Sequence, residues 1–192
     1  MSSELDRRAF RDLSYGLYIV TSLDGDRLNG QIVNTVIQVT SDPPRVAVII
    51  NQKNLTHEFI TRSGVFGVSV LDDTAPMTFI GPFGFRSGRD VNKFGNISFK
   101  KGSTGVPLVS EHSLSLLEVK VFECLDLGTH SIFIGDVVFS EVLKTGKPLT
   151  YQFYHEVLKG KSPPHAPTFI PISPCKTGAA SGIVPRPLLF YK

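Results

Sequence analysis

Cysteine is scarce in these 192 residues. Cys124 and Cys175 lie far apart and match no paired spacing, so neither a disulfide framework nor a zinc or rubredoxin-type iron site is indicated. Cys124 sits in an alternating apolar segment and is expected to be a small core residue. An excess of one charge is also lacking. Twenty Lys and Arg face 17 Asp and Glu, a formal charge of +3, which is too small and too even for a nucleic-acid footprint. No stretch approaches the roughly 20 uninterrupted apolar residues that cross a bilayer, so no membrane partner is expected. The opening Met1-Ser2-Ser3-Glu4-Leu5-Asp6-Arg7-Arg8 has no charged region followed by an apolar one, as export requires, and the expected location is the cytoplasm. There is no Gly-x-Gly-x-x-Gly after a strand, no Gly-Lys-Ser/Thr phosphate loop and no Gly-x-Ser-x-Gly elbow. His57, His112 and His165 share no ligand spacing, and Asp72-Asp73 fits a solvated turn or a helix cap, so no metal is expected.

What is present is a succession of strands. A chain that is 41% hydrophobic and of this length can bury one ordinary core. Leu5, Ala9, Phe10 and Leu13 fall at helical spacing, which predicts a short amphipathic helix over Ser3 to Ser14. The period then shortens. Leu17 to Ser22 and Leu28 to Thr40, joined by Asp24-Gly25-Asp26, form a hairpin, and Arg45 to Ile50 follows the breaker Asp42-Pro43-Pro44. A helix over Leu55 to Arg62, with Asn54 as its cap and Ser63-Gly64 as its stop, leads into the strand Val65 to Leu71. Residues 72–93, with Pro76 and Pro82, are expected as short helical turns and loop over a barrel. Ser113 to Leu125 and Ile132 to Leu143 are two long strands. The first is apolar on both faces, which fits burial by the core on one side and by a second copy of the chain on the other. Many strands, few helices and no βαβ alternation predict a mainly β antiparallel barrel over 1–169, and the aperiodic 170–192 is expected to be a tail or arm.

Polar residues interrupt this pattern where apolar ones are expected. Asn29, Gln31, Asn34 and Thr35 lie along the second strand. Asn51, Gln52, Lys53, Asn54 and Thr56 surround the start of the helix that follows the third. A helix N-terminus carries unpaired N–H groups and partial positive charge, and with these donors it suits a phosphate. On spacing alone, Asn54 serves equally well as a cap and Asn29 as a turn residue.

The ordered series Asn34-Thr35-Val36-Ile37-Gln38-Val39-Thr40-Ser41-Asp42-Pro43-Pro44, Asn51-Gln52-Lys53-Asn54-Leu55-Thr56 and Phe66-Gly67-Val68-Ser69-Val70-Leu71 resembles the flavin reductase-like, FMN-binding split-barrel family. Phe83-Gly84-Phe85-Arg86-Ser87-Gly88-Arg89-Asp90-Val91-Asn92-Lys93-Phe94, Gly128-Thr129-His130 and Tyr151-x-x-Tyr154-His155 extend the likeness over roughly residues 10 to 169. It is nearest to flavoredoxins and the flavin half of high-molecular-weight rubredoxins, although Cys175 has no partner at rubredoxin spacing. The resemblance implies a six-stranded antiparallel split barrel with a few short helices, paired as a homodimer. It implies bound FMN reduced by NADH or NADPH, with electrons passed to an acceptor. The alternative is a flavoredoxin-like carrier reduced by a protein partner such as a rubredoxin. At matched positions, Asn29, Gln31, Asn34 and Thr35 would meet the ring edge and ribityl chain. Asn51, Gln52, Lys53, Asn54 and Thr56 would hold the phosphate, and Arg86, Ser87 and Lys93 would add charge-assisted contacts. Tyr154 would wall the pocket, and His130 would stand at the reactive ring face; without the resemblance, His130 is equally a turn residue.

Overall fold

The computed structural model describes residues 5–163 and 165–168, the side chains at positions 7, 8 and 11 excepted. The chain runs through β1 (Tyr18–Asp24), β2 (Arg27–Val33), β3 (Val36–Ser41), β4 (Pro44–Asn51), α1 (Leu55–Ser63), β5 (Val65–Leu71) and α2 (Met77–Phe85). It continues through β6 (Phe99–Lys101), β7 (Pro107–Val109), β8 (Ser113–Asp126), β9 (His130–Val142) and α3 (Tyr151–Glu156). Seven strands form one antiparallel sheet in the order β2-β1-β5-β8-β9-β4-β3, and β6 and β7 form a separate ribbon.

The strand order dictates the shape. β2 and β3 are the two edges of the sheet, yet only Asn34 and Thr35 separate them in sequence, so the sheet curls until its edges meet. The result is a split barrel. The predicted single strand Leu28 to Thr40 is therefore broken in two, and the expected six strands are recovered when β2 and β3 are counted together. Thr35 makes the break. Its carbonyl accepts from Ile49 N–H at 3.1 Å and its Oγ1 donates to Ile49 O at 3.1 Å, which transfers the chain from β1 to β4.

Inside the barrel, Val20, Val48, Ile50, Phe66, Val68, Val119 and Phe133 form a buried cluster. Each fully buried side chain of this size contributes about 1.5–3 kcal/mol. A second cluster, with Ile19, Leu71, Ile80, Phe83 and Tyr154, lies beneath α2 and α3. α1 buries Leu55, Phe59 and Ile60 and stops at Gly64, whose φ of 69° is left-handed and whose N–H bonds to Ile60 O. Thr150 caps α3 by accepting from Phe153 N–H at 3.1 Å.

Three expectations need revision. The N-terminal helix is only a 3-10 turn over Arg7–Asp12. Phe10 and Leu13 are more than half exposed, so the apolar stripe has no surface to bind. Cys124 is exposed rather than buried, because pairing of β8 with β5 stops at Lys120 and the end of β8 pairs with β9 alone. Asn54 occupies the cap position of α1 but makes no side-chain capping bond. Cys175 and the expected tail 170–192 lie outside the described residues. No helix among the described residues is long and apolar enough to cross a membrane.

Candidate functional site

A cavity of about 550 Å³ opens between β2, the start of α1, the loop after α2 and the segment after α3. Strand alternation turns Asn29 and Gln31 of β2 toward it, and Asn34 follows at the barrel split. Asn29 is 2% exposed. Its Nδ2 donates to Thr56 Oγ1 at 2.8 Å, while its buried Oδ1 has no partner.

The start of α1 supplies the second wall. Asn51, Lys53, Asn54 and Thr56 all line the cavity. Asn54 O accepts from His57 N–H at 3.0 Å, and Asn51 Oδ1 accepts from Lys53 N–H at 3.0 Å. The Asn54 N–H donates to Asn51 O at 3.0 Å, and its side chain makes no capping bond to the helix terminus beside it.

Arg86, Ser87 and Lys93 come from the loop after α2. Lys93 is 7% exposed, donates to Gly30 O at 2.8 Å and stands 5.9 Å from the centre of the Phe83 ring. Among the described residues no carboxylate faces it in the cavity, and burial pulls its pKa down from 10.5 to about 8.

Tyr154 closes the fourth side. Its hydroxyl donates to Lys161 O at 3.1 Å, and burial raises its pKa. Beyond α3, Lys161, Ser162, Pro163, His165, Ala166 and Pro167 form a wall absent from the expected site. Hydroxyl contacts secure it: Asn34 Nδ2 donates to Thr168 Oγ1 at 2.8 Å, and Tyr151 OH bonds to Thr168 Oγ1 at 2.9 Å and to Ser162. Phe83, Gly84 and Phe85 were also missed as cavity residues, as were Ile32 and Val33.

Three expected residues lie elsewhere. Thr35 is spent on Ile49 and faces a second cavity, lined also by Tyr15, Tyr18 and His155. Gln52 points away, donating to Asp126 Oδ1 at 2.7 Å. His130 does not line the first cavity. It pairs in register with Asn51, and its Nε2 is 3.5 Å from Asn51 Nδ2 and 3.4 Å from His165 O, so it touches two residues that do line it.

The chemistry of the cavity is one-sided. Lys53, Arg86, Lys93 and Lys161 line it and, among the described residues, no Asp or Glu does, while Phe83, Phe85 and Tyr154 offer flat apolar surface. The volume falls within the roughly 300–1,000 Å³ of small-molecule sites. A buried cation without a counterion, a helix N-terminus and an orphan acceptor match a ligand with a phosphate, hydroxyls and a planar ring.

Comparison with known proteins agrees. Residues 10–157 match the family described as flavin reductase like domain. The chain is 50% identical over 165 residues to the high molecular weight rubredoxin of Moorella thermoacetica, spanning 86% of this chain and 72% of that protein. It is likewise 50% identical over 159 residues to the ferric-chelate reductase (NAD(P)H) of Archaeoglobus fulgidus, spanning 83% and 94%. Among solved structures, the NADH:FAD oxidoreductase of Streptomyces globisporus in complex with NAD and FAD fragments superposes with a TM-score of 0.66 at 26% identity, covering 75% of this chain and 84% of that one.

Proposed function

The chain belongs to the flavin reductase-like domain family, and from that premise we propose that it is a cytoplasmic, FMN-binding NAD(P)H:flavin oxidoreductase acting as a homodimer. The carboxylate-free cavity, with buried Lys93 beside the start of α1, carries this reading. The NAD(P)H and NADH donors in the names of its relatives support the choice of reductant.

Bound FMN supplies a ring that takes a hydride from a nicotinamide and gives up electrons to an acceptor. The chain supplies binding, orientation and shielding. Asn54 and Thr56 at the α1 terminus, with Lys53, Arg86 and Ser87, hold the phosphate. Asn29, Gln31 and Asn34 meet the ribityl chain and ring edge, with Asn51 beside them. Lys93 brings positive charge into a site that water reaches poorly, where charge counts for more. Tyr154 and the wall formed by 161–163 and 165–167 exclude solvent. His130, in contact with Asn51 and His165, faces the incoming nicotinamide.

Phe122, 52% exposed opposite the Ile134–Gly135 stretch of β9, and Val142, 74% exposed at the far end of the same pair opposite Ser115, supply apolar surface for a second copy. The half-identity to a high molecular weight rubredoxin supports a second reading, a carrier whose FMN is reduced by a protein partner such as a rubredoxin. A fluorescence titration with FMN tests the cofactor: saturable quenching is expected, weakened in Thr56→Ala, and no quenching at any concentration sinks the proposal. Stopped-flow mixing then separates the readings, because fast reduction by NADH or NADPH marks the enzyme and slow reduction the carrier.

A further inference from the structure

The loop after α2 lies very close over the site. A Cβ on Gly88 would sit 2.0 Å from Asn29 Oδ1 and 3.2 Å from Leu55 Cδ2, so only glycine lets the backbone seat there. Yet the loop binds mainly to itself. Arg89 N–H donates to Ser87 Oγ at 3.1 Å, and the N–H groups of Asp90 and Val91 donate to Ser87 O at 3.1 and 3.2 Å. Among the described residues, the one polar tie from 86–92 to another element is the pair Arg89–Glu58. It is bidentate, Nη1 to Oε2 at 3.3 Å and Nη2 to Oε1, and it lands on the first turn of α1. Gly88 and Thr56 line the cavity, whereas Arg89 and Glu58 lie just outside it.

We propose that the Arg89–Glu58 pair is a clasp that holds the 86–92 loop down on α1 and sets how fast the flavin leaves. The inference rests on the FMN reading above, and it makes a claim about sign. Glu58 is a carboxylate on the first turn of the helix that receives the phosphate. By direct charge alone, removing it would reduce repulsion and slow release. As half of a clasp, it does the opposite: its loss frees the loop and speeds release. The pair is partly exposed, so added salt screens it as well.

The test is a dilution jump of FMN-loaded protein, following the recovery of free FMN fluorescence. Arg89→Ala and Glu58→Gln should each release FMN about two- to five-fold faster, the range an exposed ion pair can move. The double exchange Glu58→Arg with Arg89→Glu restores the pair and adds attraction at position 58, so it should bring release back to the parent rate or below it. Salt screens the phosphate contacts in every variant, so release from both should quicken between low and high salt, and by a larger factor in the parent, which alone has the pair to lose, than in Glu58→Gln. A Glu58→Gln variant that releases FMN at the parent rate or more slowly overturns the clasp. A parent chain that retains no FMN sinks the cofactor reading, and the clasp with it, before any variant is compared.

Discussion

Lys93 makes the affinity for FMN depend on pH in a way that can be worked out beforehand. Its ammonium, 7% exposed and without a facing carboxylate, titrates near 8 instead of 10.5. That gap is worth about 3 kcal/mol against the charged form. An anionic ligand offsets the penalty, so binding draws a proton onto Lys93 wherever the free protein has lost it. Below pH 8 the lysine is already charged and the dissociation constant should be flat. Above pH 8 it should rise by about tenfold per unit until the pKa of the complex is reached. Quenching titrations from pH 7 to 9.5 read this directly, with Lys93→Met as the control for ionisation of the ligand itself. The same gap acts on folding. Between pH 8 and the ordinary range near 10.5 the unfolded chain holds a proton that the folded chain has released, so the ligand-free protein should gain stability as pH rises through that window. A dissociation constant that does not change from pH 7 to 9.5, or an identical profile in Lys93→Met, refutes the reasoning.

Other outcomes follow from single contacts. Gly88→Ala puts a Cβ 2.0 Å from Asn29 Oδ1, lifts the loop and should weaken FMN at least about tenfold in the same titration; unchanged affinity would show that the loop is not part of the site. Buried Glu118 accepts from Ser103 N–H at 3.1 Å, Thr104 N–H at 2.6 Å and the Ser103 hydroxyl; burial pushes its pKa up, but these bonds win and hold it below the usual value. Its stabilising effect is complete above the ordinary glutamate range near 4.5 and lost as pH falls through the lower folded value, so Glu118→Gln should cost about 1–3 kcal/mol at pH 7 and flatten the acid side of urea-melt stability. His130→Ala should slow NADH reduction about tenfold while leaving FMN affinity within a factor of two; an unchanged rate makes His130 a bystander. The parent should sediment as two copies of the 21.0 kDa chain, and the mass of a single copy ends the homodimer reading.

Much of the barrel was legible because its strands alternate and its turns carry Gly and Pro. The break at Asn34-Thr35 was not, since β-branched residues continue through it from Val33 to Val39; a distant partner, Ile49, turns the chain there. Cys124 was misplaced for a related reason. Apolar residues in β8 continue past Lys120, where its β5 neighbour ends, and the loss of that neighbour leaves no mark in composition. At the site, the amides of β2 stood out because polar residues on a buried face need partners. Thr35 and Gln52 were drawn in by their neighbours in sequence, but local backbone direction sends one to Ile49 and the other to Asp126. The 161–168 wall carries no period and many prolines. Its position comes from Asn34 and Tyr151, 134 and 17 residues before Thr168 respectively, and no local pattern records such bonds.

The central claim is that this cavity holds FMN and presents it to a nicotinamide. An absorption spectrum of the FMN-equilibrated, desalted protein, taken anaerobically before and after one equivalent of NADH or NADPH, tests it most directly. The expected result is a retained yellow flavin band that bleaches within the mixing time of a turnover experiment. A colourless protein, or one whose flavin band withstands both nicotinamides, would contradict it.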